Sequence, residues 1–383
     1  MKKILSVLLV LCLIAALAAC SPAAPATSPE PSPAQTTEPS PAPVDPGASE
    51  LSVDVFWYTF ADTFLASVRA DMIEQEAGFP NLAVTHHDSM DSQSTQIEQI
   101  QTAITQGTDL LVVNIVTTGA EDVAVNIVEL ARNADVPIIF FNREVSDDVI
   151  NSYDQAVFIG TDAAEAGVFQ GMAIAEFLLE GDNLSRFDVD GNGEIRYIML
   201  RGEHGNAEAF YRTYYSVKTA NELLEGTGVT LVPSAANETS TLYDDDGISN
   251  YFLYANWSAT EAFTLVNTAL SAHDPSAGDI ELVIANNDDA ALGAIQALNE
   301  IGLNTGDDNF IPIFGVDATD VAVIAINDGR MTGTVKQDGT AMALAVLELS
   351  NNIANGDDLM ANTAHHNIDA GVAKIRIPHA IVS

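Results

Sequence analysis

Val136-Pro-Ile-Ile-Phe-Phe-Asn-Arg-Glu144 and, much later, Val283-Ile-Ala-Asn-Asn-Asp288 share one grammar. Each opens on a short apolar run and stops abruptly on an amide or a carboxylate. An unbroken apolar run of this length suits a strand buried on both faces, as in a parallel sheet covered by helices. Similar runs lie at residues 53–58, 82–86, 110–115, 157–160, 196–200, 229–232, 311–315 and 333–335, beside those at 137–141 and 282–285. Amphipathic stretches at 63–76, 94–106, 163–179 and 206–224 separate them. Strands alternating with helices imply parallel sheets with helices on both faces. These strands are too many for one ordinary sheet, and the pattern runs twice. The expected fold is α/β, with two doubly wound parallel-sheet lobes joined by a hinge.

Sheets of this kind bind ligands just beyond the carboxyl ends of their strands. The residues expected there are Asp62 and Phe64, Asn142, Asn286-Asn287-Asp288, and Asp317. No Ser-His-Asp set, metallohydrolase pattern or glycine-rich phosphate loop occurs at these ends. Amides and carboxylates hydrogen-bond hydroxyl groups, and an aromatic face covers the C–H side of a sugar ring. The set therefore suits a neutral polyhydroxyl ligand. Taken singly, Phe64 and Trp257 fit core packing as well, while Asn142, Asn287 and Asp317 fit turns or helix caps.

The chain begins with Lys2 and Lys3, followed by an apolar run at 4–17 that is too short to remain as a membrane span. Leu17-Ala18-Ala19-Cys20 resembles a bacterial lipobox, which implies a signal peptide over residues 1–19 and a lipid on Cys20. The other cysteine, Cys12, lies inside the segment to be removed, so the folded part has neither a disulfide nor thiol chemistry. Residues 20–49, rich in Pro, Ala, Ser and Thr, are expected to be a disordered tether. No other segment is apolar enough to cross a membrane. A net charge of −40 repels phosphates, which argues against a nucleic-acid partner.

From about residue 53 to 378 the chain resembles the periplasmic galactose/glucose-binding proteins of ABC transporters. The resemblance rests on the two stretches quoted above, with Ser152-Tyr-Asp154, Gly160-Thr-Asp162, Phe314-Gly-Val-Asp-Ala318 and Gly333-Thr-Val335, all in the same order. It implies a hexose held between two lobes, stacked between Phe64 and Trp257. Asp62, Asn142, Arg212, Asn287 and Asp317 match the family's polar ligands. Asn206 stands where the family has a histidine, Glu208 where it has an aspartate, and Gln337 where it has an asparagine. The implied lobes are residues 50–161 with 338–375, and 162–337 with 376–383.

Asp188-Val-Asp190-Gly-Asn192-Gly193-Glu194 has the spacing of the first half of a calcium loop. Side-chain oxygens fall at positions one, three and five, a glycine falls at six, and Glu194 offers its carbonyl at seven. The resemblance supplies the missing glutamate as Glu281. At position nine the family has a glutamine, and this chain has Arg196, which carries no lone pair for a cation. The alternative is an acidic turn without metal. His86-His87 and His365-His366 are adjacent pairs, and on a strand such side chains point to opposite faces and seldom chelate one ion. Asp244-Asp245-Asp246 reads as a solvated loop, in a segment (237–256) longer than in the family.

The expected protein is a monomeric, lipid-anchored, extracytoplasmic binding protein that delivers a glucose- or galactose-like monosaccharide to an ABC permease and catalyses nothing. Rival readings are a module presenting sugar to a membrane receptor, a binder of another sugar or polyol, and a sugar-acting enzyme using paired carboxylates. The export signal excludes a sugar-responsive repressor.

Overall fold

A computed structural model describes residues 50–241 and 247–383. The expected signal peptide (residues 1–19), Cys20, the expected tether and the Asp244–Asp246 run lie outside the described residues.

The first lobe is built from β1 (Leu51–Trp57), α1 (Thr63–Gln75), β2 (Leu82–Asp88), α2 (Gln93–Gln106), β3 (Leu110–Val113), α3 (Glu121–Ala134), β4 (Ile138–Phe141), α4 (Asp147–Asn151) and β5 (Ala156–Gly160). The chain then crosses into the second lobe. There it forms α5 (Ala163–Leu179), α6 (Asn183–Phe187), β6 (Glu194–Arg201), α7 (Ala207–Leu223), β7 (Thr230–Pro233), β8 (Glu238–Thr239) and β9 (Tyr251–Tyr254). It continues with α8 (Ala259–Ala272), β10 (Leu282–Ala285), α9 (Asp288–Glu300), β11 (Ile313–Asp317), α10 (Asp320–Asn327) and β12 (Gly333–Gln337). It returns through α11 (Gly339–Ala354), β13 (Asn367–Ile368) and β14 (Lys374–Arg376), and crosses once more to end in β15 (His379–Val382).

The first sheet has the order β13-β14-β5-β4-β3-β1-β2, and β15-β12-β11-β10-β6-β9-β8 is the order of the second, with β7 also pairing β6. Neighbours are parallel except at β13–β14, β12–β15 and β8–β9. The inner strands β3, β4, β5, β10 and β11 are buried at every residue, as strands covered on both faces must be. Val55, Val112, Ile139 and Ile159 pack on one face of the first sheet with Met342 and Val346 of α11, while Leu111, Ile138 and Phe140 pack on the other with Ile127 of α3.

Within the second lobe α5 lies directly against α7. A Cβ on Gly167 would come within 2.7 Å of the Tyr211 carbonyl, and one on Gly171 within 2.6 Å of that of Ser216, so glycine permits the approach. One local element is added and one local expectation needs correction. The long 237–256 segment carries strand β9, which extends the sheet beside β6 (Leu200 opposite Leu253). His365 and His366 lie in the turn before β13 and not on a strand, so their side chains are free to point the same way.

Candidate functional site

The first-lobe wall of the cleft starts where β1 ends. Asp62 caps α1: one carboxylate oxygen accepts from the Leu65 amide at 2.8 Å and the other from the Tyr58 hydroxyl at 2.7 Å. The cap aims the first turn of α1, and Phe64 with it, at the cleft. Beyond β4, Asn142 adopts the left-handed region (φ 61°), and its amide oxygen accepts from the buried Asn114 at 3.1 Å. Asn114 also accepts from the Tyr58 amide, so one buried side chain positions two residues of the wall. Arg143 lies 3.7 Å over the Tyr58 ring and donates to backbone carbonyls at Ile115 and Val116.

The second-lobe wall is assembled from the ends of β6, β9, β10, β11 and β12. Asn206 and Asn287 cap α7 and α9 by accepting from Ala209 and Ala290. Their amide NH2 groups are left for other partners, and that of Asn287 donates to the Trp257 carbonyl at 3.1 Å. The Trp257 ring packs against Gly202, where any Cβ would collide with it. Arg212 is 3 % exposed, donates to the Asn286 carbonyl at 2.9 Å and lies 3.8 Å from Asp317. Asp317 accepts from Gln337 at 2.6 Å, and Gln337 in turn accepts from Thr161 at 3.2 Å. Asp317 (φ 124°), Ala318 (φ 54°) and Trp257 (φ 64°) all hold backbone conformations that side-chain-bearing residues avoid, costing about 1–3 kcal/mol each.

Several polar atoms here have no hydrogen-bond partner among the described residues: both carboxylate oxygens of Glu208, Nε of Arg212 and Nε1 of Trp257. Glu208 is only 5 % exposed. Burial pushes its carboxyl above the usual range, with Arg212 opposing, and burial likewise holds Asp317 well above that range. Behind them Asp288, raised to about 7 by burial, accepts from Thr319 and Thr334 and braces the β11 end.

Asp62, Phe64, Asn142, Asn206, Glu208, Arg212, Trp257, Asn287, Asp317 and Gln337 all line one cleft, together with Tyr58, Leu65 and Arg143. Its cavity volume is about 50 Å³. The walls also meet beside it: Arg143 donates to Glu203 at 3.0 Å, Thr118 donates to the same carboxylate, and Thr63 donates to Asp289 at 2.8 Å. Tyr58 and Arg143 were not singled out from the sequence, although Tyr58 directly follows β1 and Arg143 comes two residues after β4.

The 188–194 loop also forms. Carboxylate oxygens of Asp188, Asp190 and Glu281 lie within 4.8 Å of one another. The backbone folds inward, Asp188 accepting from Asn192 and Gly193, and Glu281 from Val189 and Arg196. Asn192 turns its amide oxygen to the Glu194 amide, and the Arg196 guanidinium donates to Asp190, Glu194 and the Gly278 carbonyl at 3.1 Å. The donor set is the all-oxygen kind that suits a hard cation, with arginine holding one edge.

The periplasmic binding protein domain model matches residues 53–358. The D-galactose/methyl-galactoside binding periplasmic protein of Haemophilus influenzae is 32% identical over 316 residues, 82% of this chain and 85% of that protein. The D-xylose-binding periplasmic protein of Escherichia coli is 25% identical over 278 residues, 72% of this chain and 70% of that one. Among solved structures, an ABC transporter solute binding protein from Bacillus halodurans with bound myo-inositol superposes with a TM-score of 0.63 at 24% identity, covering 88% of this chain and 96% of that one. With two parallel-dominated lobes and a polar, aromatic-walled cleft between them, this chain belongs to the periplasmic binding protein family.

Proposed function

We propose that this protein captures a neutral monosaccharide, a pyranose of the glucose or galactose kind, outside the membrane and hands it to an ABC permease. The observation that carries the reading is Glu208, a buried carboxylate with two unpartnered oxygens in an aromatic-walled cleft. A buried acceptor without a donor is costly, and sugar hydroxyls supply donors. Asp62 and Asp317 beside Glu208 disfavour an anionic ligand. The aromatic faces of Phe64 and Trp257 favour a ring with an apolar C–H side over a charged metabolite.

Closure of the two lobes on the sugar is the working event, and no bond is made or broken. The relative named for galactose and methyl-galactoside supports a hexose, and the xylose-binding relative supports the alternative of another sugar or polyol. The proposal includes release of residues 1–19, a lipid on Cys20 and a monomeric protein. Unchanged membrane fractionation of Cys20→Ser would contradict the anchor. It also includes calcium held by Asp188, Asp190, Asn192, Glu281 and the Glu194 carbonyl, weakened because Arg196 already neutralises Asp190. Chelator then lowers the Tm modestly and calcium restores it, and Arg196→Gln enlarges both effects. No Tm response in either protein would leave the loop a turn.

The central test is a thermal-shift screen against monosaccharides. A true ligand at a hundred times its Kd adds about 2.7 kcal/mol of stability. Recovery of that sugar chemically unchanged excludes turnover, and silence across hexoses, pentoses and polyols alike would refute the reading.

A further inference from the structure

The two histidines of the turn before β13 meet one carboxylate on α11. His365 Nε2 lies 3.2 Å and His366 Nε2 3.1 Å from the same oxygen of Glu348, with ring centroids 4.0 Å apart. One ligand atom from each of the three residues lies within 4.8 Å of the others. Atoms sharing one zinc ion at about 2.0–2.2 Å stand roughly 3.3–3.6 Å apart at a tetrahedral angle. The two imidazole-to-carboxylate separations are already close to that spacing.

The turn is held in place by side chains other than these three. Asn352, buried on α11, donates to the carbonyls of Leu359 and Ala361 at 3.2 and 2.6 Å. The His366 amide donates to the Thr363 carbonyl, and the Thr363 hydroxyl to that of Met360. The three candidate ligands are therefore presented by a braced helix and turn. His366 is 14% exposed and His365 59%, which leaves an open side for water as a further ligand.

We propose that Glu348, His365 and His366 form a binding site for a divalent transition-metal ion, Zn2+ or a neighbour such as Ni2+ or Cu2+. Two imidazoles with one carboxylate suit these ions better than calcium or magnesium, which prefer all-oxygen ligands. None of the three residues lines the sugar cleft. Bound metal clips the turn to α11 and stabilises the first lobe independently of sugar.

The test uses the mature chain without a histidine tag, stripped of metal and titrated calorimetrically with Zn2+. One Zn2+ binds per chain, and saturating Zn2+ raises the Tm by about 3 °C. His365→Ala and His366→Ala each weaken binding at least about tenfold, and Glu348→Gln, which keeps both imidazoles, weakens it less. The double histidine variant, with circular dichroism showing it folded, shows no Tm response to Zn2+. Equal Zn2+ binding by the wild type and the double variant, or no binding by the wild type, would overturn the proposal.

Discussion

The two walls of the cleft are built on opposite principles. On the first-lobe wall the polar groups already have partners: both oxygens of Asp62 accept within the protein, and the Asn142 amide oxygen accepts from Asn114. On the second-lobe wall Glu208, Arg212 and Trp257 keep atoms that no described residue satisfies. The first wall is preorganised, so it orients a ligand at little cost in ordering. The second wall holds polar groups whose burial without partners is unfavourable, so it gains most when hydroxyl groups arrive.

From that contrast, the largest loss follows from removing the second-lobe platform. Trp257→Ala is expected to weaken sugar binding by about 2–4 kcal/mol, the range for truncating a buried anchor. A loss no larger than that of a conservative first-wall change would break the contrast.

Glu208→Gln comes next, weakening binding by about 1.5–3 kcal/mol, as for a lost hydrogen bond to a charged group. Its effect on the empty protein has the opposite sign. The folded carboxyl titrates above its unfolded value, so its ionisation costs no stability below the unfolded pKa. The cost grows as pH rises toward the folded pKa. The sugar-free variant should therefore melt higher than wild type at neutral pH and lose less stability between acid and neutral pH. Asp317 and Asp288 are shifted in the same direction, so part of the slope remains. Thermal melts across pH check this, and an unchanged slope would mean that Glu208 is not buried unpaired.

The smallest expected effect is on the first wall. Asp62→Asn keeps an oxygen to cap α1 and should cost about 0.5–1.5 kcal/mol of affinity. A larger loss than for Glu208→Gln, measured by the same titration, would invert the comparison.

Much of this was legible in the sequence because strand ends and their polar followers are local signals. The Phe-Phe-Asn at 140–142 and the Ala-Asn-Asn at 285–287 announce both a buried strand and its functional tip. Arg143 was legible as part of a matched stretch but not as a contact to Glu203, sixty residues away, because that pairing exists only once the lobes meet. Asn114 was hidden for a related reason: its role is to bond two other residues of the wall. Strand β9 was obscured by the length of the segment around it. The His365-His366 pair was misjudged because strand alternation was assumed where the chain makes a turn. Partners distant in sequence leave no periodic trace.

The central claim is that a monosaccharide binds in this cleft against both walls. It is tested most directly by isothermal titration of glucose, galactose, xylose and ribose into the wild type, Trp257→Ala and Asp317→Ala. The account predicts one sugar bound by the wild type at one per chain, and markedly weaker binding of that sugar by both variants. Equal affinity in all three proteins would place the ligand elsewhere and contradict it.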